Sequence, residues 1–334
     1  MAQTVKLQKN YSSAVIHLFG ATLTSWEPCG VEALFVSRES YFDNQKPIRG
    51  GVPVVFPQFG PWQYGPQHGF ARRTKWSIKE GAGDNISDTV TLVLEDSDET
   101  RKIWDYKFRF EYTFTLKTNN EIKMEAFITN TDEKEFDFTF LLHTYIAVSN
   151  VKDSAVIGLQ GCSYIDKVND NTECVDLKEE LRIYEVTDRV YKNTASVIKI
   201  KPISDDREMT IVKFNLPDTV VWNPWQVGAK TMKDFGDDEW KYMICVEAGY
   251  VHSPYILKPK QSYNASQILT VSKIDNKKDV QFEELIMLNT DSQTQTGLLE
   301  MVNNNENLWC EKGGKKTTRQ QRMNVLQKRQ TVQE

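Results

Sequence analysis

Two residues with acid–base chemistry stand out of phase with the apolar pattern around them. In the segment Phe136–His143 the aromatic face is Phe136, Phe138, Phe140 and Leu142. His143 falls on the other face with Asp137 and Thr139, so it points away from the packed side and towards a cleft. In Tyr242–Ala248 the regular apolar positions are Tyr242, Ile244 and Val246, and Glu247 shares the opposite face with Met243 and Cys245. A carboxylate beside Met and Cys on a strand is partly desolvated, which raises its pKa and suits a general base. Taken alone, each has a plainer reading: a lone histidine is more often structural, and a strand glutamate more often reaches solvent from an edge. The mostly apolar run MICVEAG makes the solvent reading of Glu247 uncomfortable. The sequence holds four histidines, His17, His68, His143 and His252. None is spaced as HxH or HExxH, so no metal site is predicted.

A second set of candidates lies between Arg49 and Arg73. This segment carries four of the 11 prolines and five of the 17 glycines, which rules out a long regular element. Phe56, Phe59, Trp62, Tyr64 and Phe70 give it something to pack with, so a structured loop is expected, and long ordered loops are often functional. It holds Arg49 in IRGG and the run Gln67-His68-Gly69-Phe70-Ala71-Arg72-Arg73. Glycine beside arginine lets a ligand approach the backbone, and guanidinium forks grip phosphate or carboxylate. The plainer fate of such arginines is a surface ion pair. Asp188 in TDRVY is a further candidate, with a turn acid as its plainer reading.

The elements that must position these residues have a period of two. Tyr106–Lys117 alternates Tyr106, Phe108, Phe110, Tyr112, Phe114 and Leu116 with polar residues, and Glu121–Ile128 follows across the polar turn 118–120 as a hairpin. Phe136–His143, Met209–Phe214, Thr219–Trp222, Tyr242–Ala248 and Ile268–Ile274 also read as strands. Convincing amphipathic helices are few, so an all-β antiparallel sandwich is expected rather than an α/β fold.

The 334 residues suffice for one large all-β domain, and the net charge of -5 argues against a nucleic-acid partner. A small anionic ligand remains compatible, since two well-placed arginines hold one phosphate. No apolar run has the length of a membrane span, and the opening MAQTVKLQKNYSS does not read as a secretory signal. The five cysteines are scattered without a CxxC pair, so a reducing, cytoplasmic location is expected. From about Asp291 onward the chain is rich in Asn, Gln, Lys and Arg and loses strand alternation. A folded domain over 1–290 and a loosely held tail over 291–334 are expected.

The strings RGGVPVVFPQFG, PQHGFAR, LLHTY, TDRVY, VVWNPW and MICVEAG occur in that order. Together they resemble the hexose-phosphate branch of the aldose 1-epimerase (galactose mutarotase-like) superfamily, over about residues 4 to 275. The resemblance implies a β-supersandwich and an isomerase that interconverts the α and β anomers of a hexose 6-phosphate without a cofactor. It implies His143 as general acid and Glu247 as general base. It implies Arg49 and Arg72 at the substrate and its phosphate, His68 at the sugar ring, Asp188 at sugar hydroxyls and Gln67 as a neighbouring polar contact. A monomer with a small-molecule substrate is expected.

One position departs from the pattern. After WNPW the family usually carries a charged residue and then a lysine, where this chain has Val227 and Gly228. Either weaker phosphate binding, or Arg73 or Lys230 in place of that lysine, is then expected. Three other readings stay open: a general aldose mutarotase, a non-catalytic carbohydrate-binding protein of the same fold, and a glycoside hydrolase using Asp188 with Glu247.

Overall fold

A computed structural model describes residues 3–79 and 87–274. The expected C-terminal tail from Asp291 lies outside the described residues. Within them the architecture is three antiparallel sheets, of three, eight and nine strands. Helix is confined to short pieces, Asp98–Ile103 and Trp225–Ala229 the α-helical ones. The all-β antiparallel expectation therefore holds.

The nine-stranded sheet is centred on Ser262–Lys273, Glu121–Asn130 and Phe108–Leu116. The hairpin read from the sequence is present, with Phe108 opposite Asn130 and Leu116 opposite Ile122. In Phe108–Leu116 burial alternates strictly, as period-two apolar residues over one buried face require.

The eight-stranded sheet carries the candidate residues. Its middle runs Ser163–Asp166, Thr187–Tyr191, Asp218–Asn223, Met243–Leu257 and Phe136–Leu142, with Val54–Val55 at the end. Tyr145–Ala147 pairs with the Met243 end of the long strand. The two large sheets meet in one core, where Phe110 packs edge-on to Phe140 at 5.7 Å between ring centroids. Phe138 and Phe140 face that core, as their phase predicts.

The other face of the same sheet holds a smaller, separate apolar cluster of Val55, Leu141, Val190, Val220 and Val251. Met243–Gly249 is buried on both sides because the strand has a neighbour on each edge and packing on each face. This disposes of the edge-strand reading of Glu247.

The proline- and glycine-rich segment is an ordered loop holding a two-residue strand, Val54–Val55, and a 3-10 turn, Ala71–Arg73. Phe56 is its anchor, fully buried with Phe70, Trp104, Phe108, Phe110 and Phe138 around its ring. Aromatic edges meeting faces at such spacing add to the gain from burial. Tyr64, expected to help pack the loop, is 67% exposed.

Candidate active site

Strand register assembles the site. Leu142 pairs with Ala248 and Tyr145 with Cys245, so His143, lying between them, falls opposite Glu247. His143 is one residue past the end of its strand, not within it as the sequence reading had it. Its backbone N–H donates to the Pro53 carbonyl at 3.0 Å, tying it to the loop. Glu247 also pairs with Val220, and Val220 with Val190. One step along, Cys245 pairs with Trp222 and Trp222 with Asp188. Directly paired residues share a face. His143, Tyr145, Glu247, Cys245, Trp222 and Asp188 therefore stand on one face, the face that also carries the small apolar cluster.

The His143 Nδ1 lies 3.4 Å from the Glu247 Oε1, and both side chains are almost wholly buried. The His143 Nδ1 and the Glu247 Oε2 have no hydrogen-bond partner. Orphaned buried polar atoms are costly, of order 1–3 kcal/mol each, and two of them side by side give the site unused hydrogen-bonding capacity. The His143 ring stacks on Tyr145, centroids 4.7 Å apart and planes within 11°. Trp222 and His68 meet it edge-on at 6.1 and 5.9 Å.

Burial governs the charge of the pair. It holds the imidazole of His143 well below its ordinary value, assisted by His68, Arg72 and Arg49. Burial also holds the Glu247 carboxyl well above its ordinary value, assisted by Asp188 and opposed by Arg72. Burial thus disfavours the charged form of each partner.

The loop delivers the remaining candidates. His68 has φ of 66°, an uncommon conformation for a residue with a side chain. Two hydrogen bonds to Gly60 hold it: its N–H donates to the Gly60 carbonyl at 2.9 Å, and the Gly60 N–H donates to its Nδ1 at 3.1 Å. An acceptor Nδ1 places the ring proton on Nε2, the nitrogen near Gln67. Burial, then the charges of Arg72, Arg49 and Lys167, push the His68 pKa down to about 3, so this ring is neutral. The Gln67 side chain is exposed beside it.

Arg72 donates from Nη2 to the Gln67 carbonyl at 2.9 Å, while its buried Nε has no partner. Burial, and next the nearby charge of Arg49, lower its pKa to about 10. Arg49 forms an ion pair with Asp234 at 3.1 Å and donates to the Tyr145 hydroxyl at 3.2 Å. Two guanidinium groups thus converge on the histidines, and among the described residues Arg49 alone of the two forms an ion pair.

Asp188 is a strand residue, not a turn acid, and is half-buried. Burial raises its pKa, Lys167 opposes, and Asp166 adds to the rise. The site thus brings together all seven residues singled out from the sequence. Of the expected phosphate substitutes, Arg73 and Lys230 are both exposed; the charge of Arg73 reaches Arg72, and that of Lys230 reaches Asp238. The cation whose charge reaches both His68 and Asp188 is Lys167, which hangs over the Phe59 ring at 5.6 Å.

The sequence reading missed Tyr145, Trp222, Asp234 and Lys167. Tyr145 had a signal, two residues from His143 in LLHTY and so on the same face. Asp234 and Lys167 had none, because they arrive from loops far along the chain.

The Aldose 1-epimerase family profile matches residues 3–270, and the chain belongs to that family. It is an epimerase that interconverts the anomers of an aldose. A relative from Cenchrus ciliaris named "Putative glucose-6-phosphate 1-epimerase" is 37% identical over 258 residues, covering 75% of this chain and 78% of its own. One of the same name from Escherichia coli (strain K12) is 35% identical over 260 residues, covering 77% and 86%. A solved "putative mutarotase" from Salmonella typhimurium superposes with a TM-score of 0.73 at 32% identity, covering 81% of this chain and 90% of that one. A GalM/aldose epimerase homologue from C. elegans matches at TM-score 0.63 and 13% identity, covering 81% and 99%, which speaks to the fold alone. No helix among the described residues is long and apolar enough to cross a membrane.

Proposed function

We propose that this epimerase acts on hexose 6-phosphates, with Glu247 and His143 as its base and acid. The observation that carries the substrate class is the pair of guanidiniums on Arg49 and Arg72. They converge on the site residues of a chain whose net charge is -5. A protein with no broad basic field must capture an anion locally, and the buried Nε of Arg72 is a donor that no protein group satisfies.

In the reaction the Glu247 carboxylate takes the proton of the C1 hydroxyl. The C1–O5 bond breaks, its electron pair goes to the ring oxygen, and that oxygen takes a proton from the imidazolium of His143. The open-chain aldehyde rotates about C1–C2, and closure with the steps reversed gives the other anomer. The pair holds one proton throughout. Opening leaves the carboxylic acid and neutral imidazole, the uncharged forms that burial favours. Closure needs that form, so each half-reaction regenerates the protonation state for the other. Asp188, Gln67 and His68 hold the sugar.

The test is anomer exchange followed by NMR on glucose 6-phosphate and on glucose. Glu247→Gln should slow exchange by about 100-fold or more with the fold intact. Arg72→Ala should raise KM for glucose 6-phosphate by roughly 10- to 150-fold, the value of one charge-assisted contact, and leave glucose nearly unchanged. Equal losses on both sugars would sink the phosphate reading and leave a general aldose mutarotase. That alternative draws on the absence of the expected lysine at Gly228, where the neighbouring Val227 is 71% exposed.

A further inference from the structure

We infer that His143, Cys245 and Glu247 form a binding site for a thiophilic divalent cation such as Zn2+, which would block the site that the sugar uses. One ligand atom from each of the three side chains lies within 4.8 Å of the others, and all three residues are buried. The His143 Nδ1 and Glu247 Oε1 are already 3.4 Å apart. Zinc bonds of about 2.0–2.3 Å to nitrogen, oxygen and sulfur place ligand atoms roughly 3.3–3.8 Å apart in a tetrahedron, so side-chain shifts of about 1 Å close the set.

Register explains why the three meet. Cys245 and Glu247 are two residues apart on one strand and share a face, and His143 is opposite Glu247 on the neighbouring segment. The His143 Nδ1 and Glu247 Oε2 have no partner within the protein. A cation gains those lone pairs without displacing an existing bond.

The donor chemistry selects the metal. One thiolate, one imidazole and one carboxylate suit zinc or another late first-row dication, whereas magnesium and calcium prefer oxygen alone. Charge balance favours the assembly despite Arg49 and Arg72 nearby. Two anionic ligands neutralise the dication, and Asp234 already pairs with Arg49. Binding releases the thiol proton of Cys245 and the one proton held by the His143–Glu247 pair. A metal held by His143 and Glu247 occupies the two groups proposed to react with the sugar, so metal and sugar exclude each other. The competition arm rests on the assignment of His143 and Glu247 to the reaction; the binding arm does not.

The probe for binding is Co2+ alone, titrated into the full-length protein. One equivalent should generate the intense thiolate-to-cobalt absorption of a tetrahedral site. That band should vanish in Cys245→Ser and in Cys245→Ala, and persist when Cys162 and Cys174 are both changed to Ser. Zn2+ should displace the cobalt and inhibit anomer exchange competitively with glucose 6-phosphate. Its inhibition constant should rise by at least about 10-fold in Cys245→Ser, measured against that variant's own uninhibited rate, since losing a ligand costs no less than losing a supporting contact. Circular dichroism of each variant shows whether the fold survives. A wild-type protein without the one-equivalent band, or a band that outlives both Cys245 substitutions, overturns the proposal. A cobalt band with zinc inhibition that ignores sugar phosphate keeps the metal site and counts against His143 and Glu247 as the reacting pair.

Discussion

In the proposed reaction His143 and Glu247 share one proton, and burial of both groups favours the placement that leaves neither charged. Because the loss of that proton disarms the pair, the alkaline limb of kcat/KM reports how tightly the pair holds it. Burial and then Asp188 hold the Glu247 proton above the ordinary carboxyl range. Removing the negative charge of Asp188 removes one reason to stay protonated. Asp188→Asn should therefore move the alkaline limb to lower pH, besides raising KM through lost hydroxyl contacts. The check is the pH profile of enzyme-catalysed exchange after subtraction of the uncatalysed rate; an unmoved or upward-shifted limb would show that Asp188 does not act on Glu247. The acid limb is less informative, because the second phosphate ionisation of the substrate, near 6, overlaps it.

Among elements, the loop from Arg49 to Arg73 matters most, since it carries four candidate residues on a backbone with little freedom. Gly69 has φ of 73°, and a Cβ placed there would meet the Phe56 carbonyl oxygen at 2.1 Å. Gly69→Ala thus combines an unfavourable backbone conformation with a collision against the residue that anchors the loop. It should cost at least about 1 kcal/mol of stability and lower activity further by displacing His68 and Arg72. Thermal unfolding and anomer exchange on the same preparation check this; wild-type values for both would mean that the loop yields freely at this point.

The alternation in Phe136–Leu142 and Met243–Ala248 made the faces of His143 and Glu247 legible in the sequence, because period-two burial is local. The strands Thr4–Lys9, Ser12–His17 and Thr22–Glu27 were not read, nor was Ser163–Asp166, from which Lys167 follows. These runs are short, and apolar and polar residues mix within them. The meeting of Lys167, Asp188 and Glu247 is set by cross-strand register, which no local pattern records. The break at His143 was likewise invisible, since Phe136–Leu142 and Tyr145–Ala147 continue the same alternation across it.

For the whole molecule, the family match ends at residue 270 and the last described strand at Lys273. Every site residue lies before that point. A chain cut after residue 290 keeps all of them, so its exchange rate should stay within about twofold of the full chain by the usual tolerance of terminal segments. A lost rate together with a large drop in Tm would show that residues beyond the cut support the fold, and would defeat the division at 290.

The five aliphatic residues of the small cluster share a sheet face with His143 and Glu247, apart from the aromatic interior on the other face. A lineage can trade Val for Ile or Leu at Val190, Val220 or Val251, thickening or thinning the dry surround of the pair, while the aromatic interior keeps its packing. The proton affinity of the pair and the durability of the scaffold then become separately heritable traits in one domain.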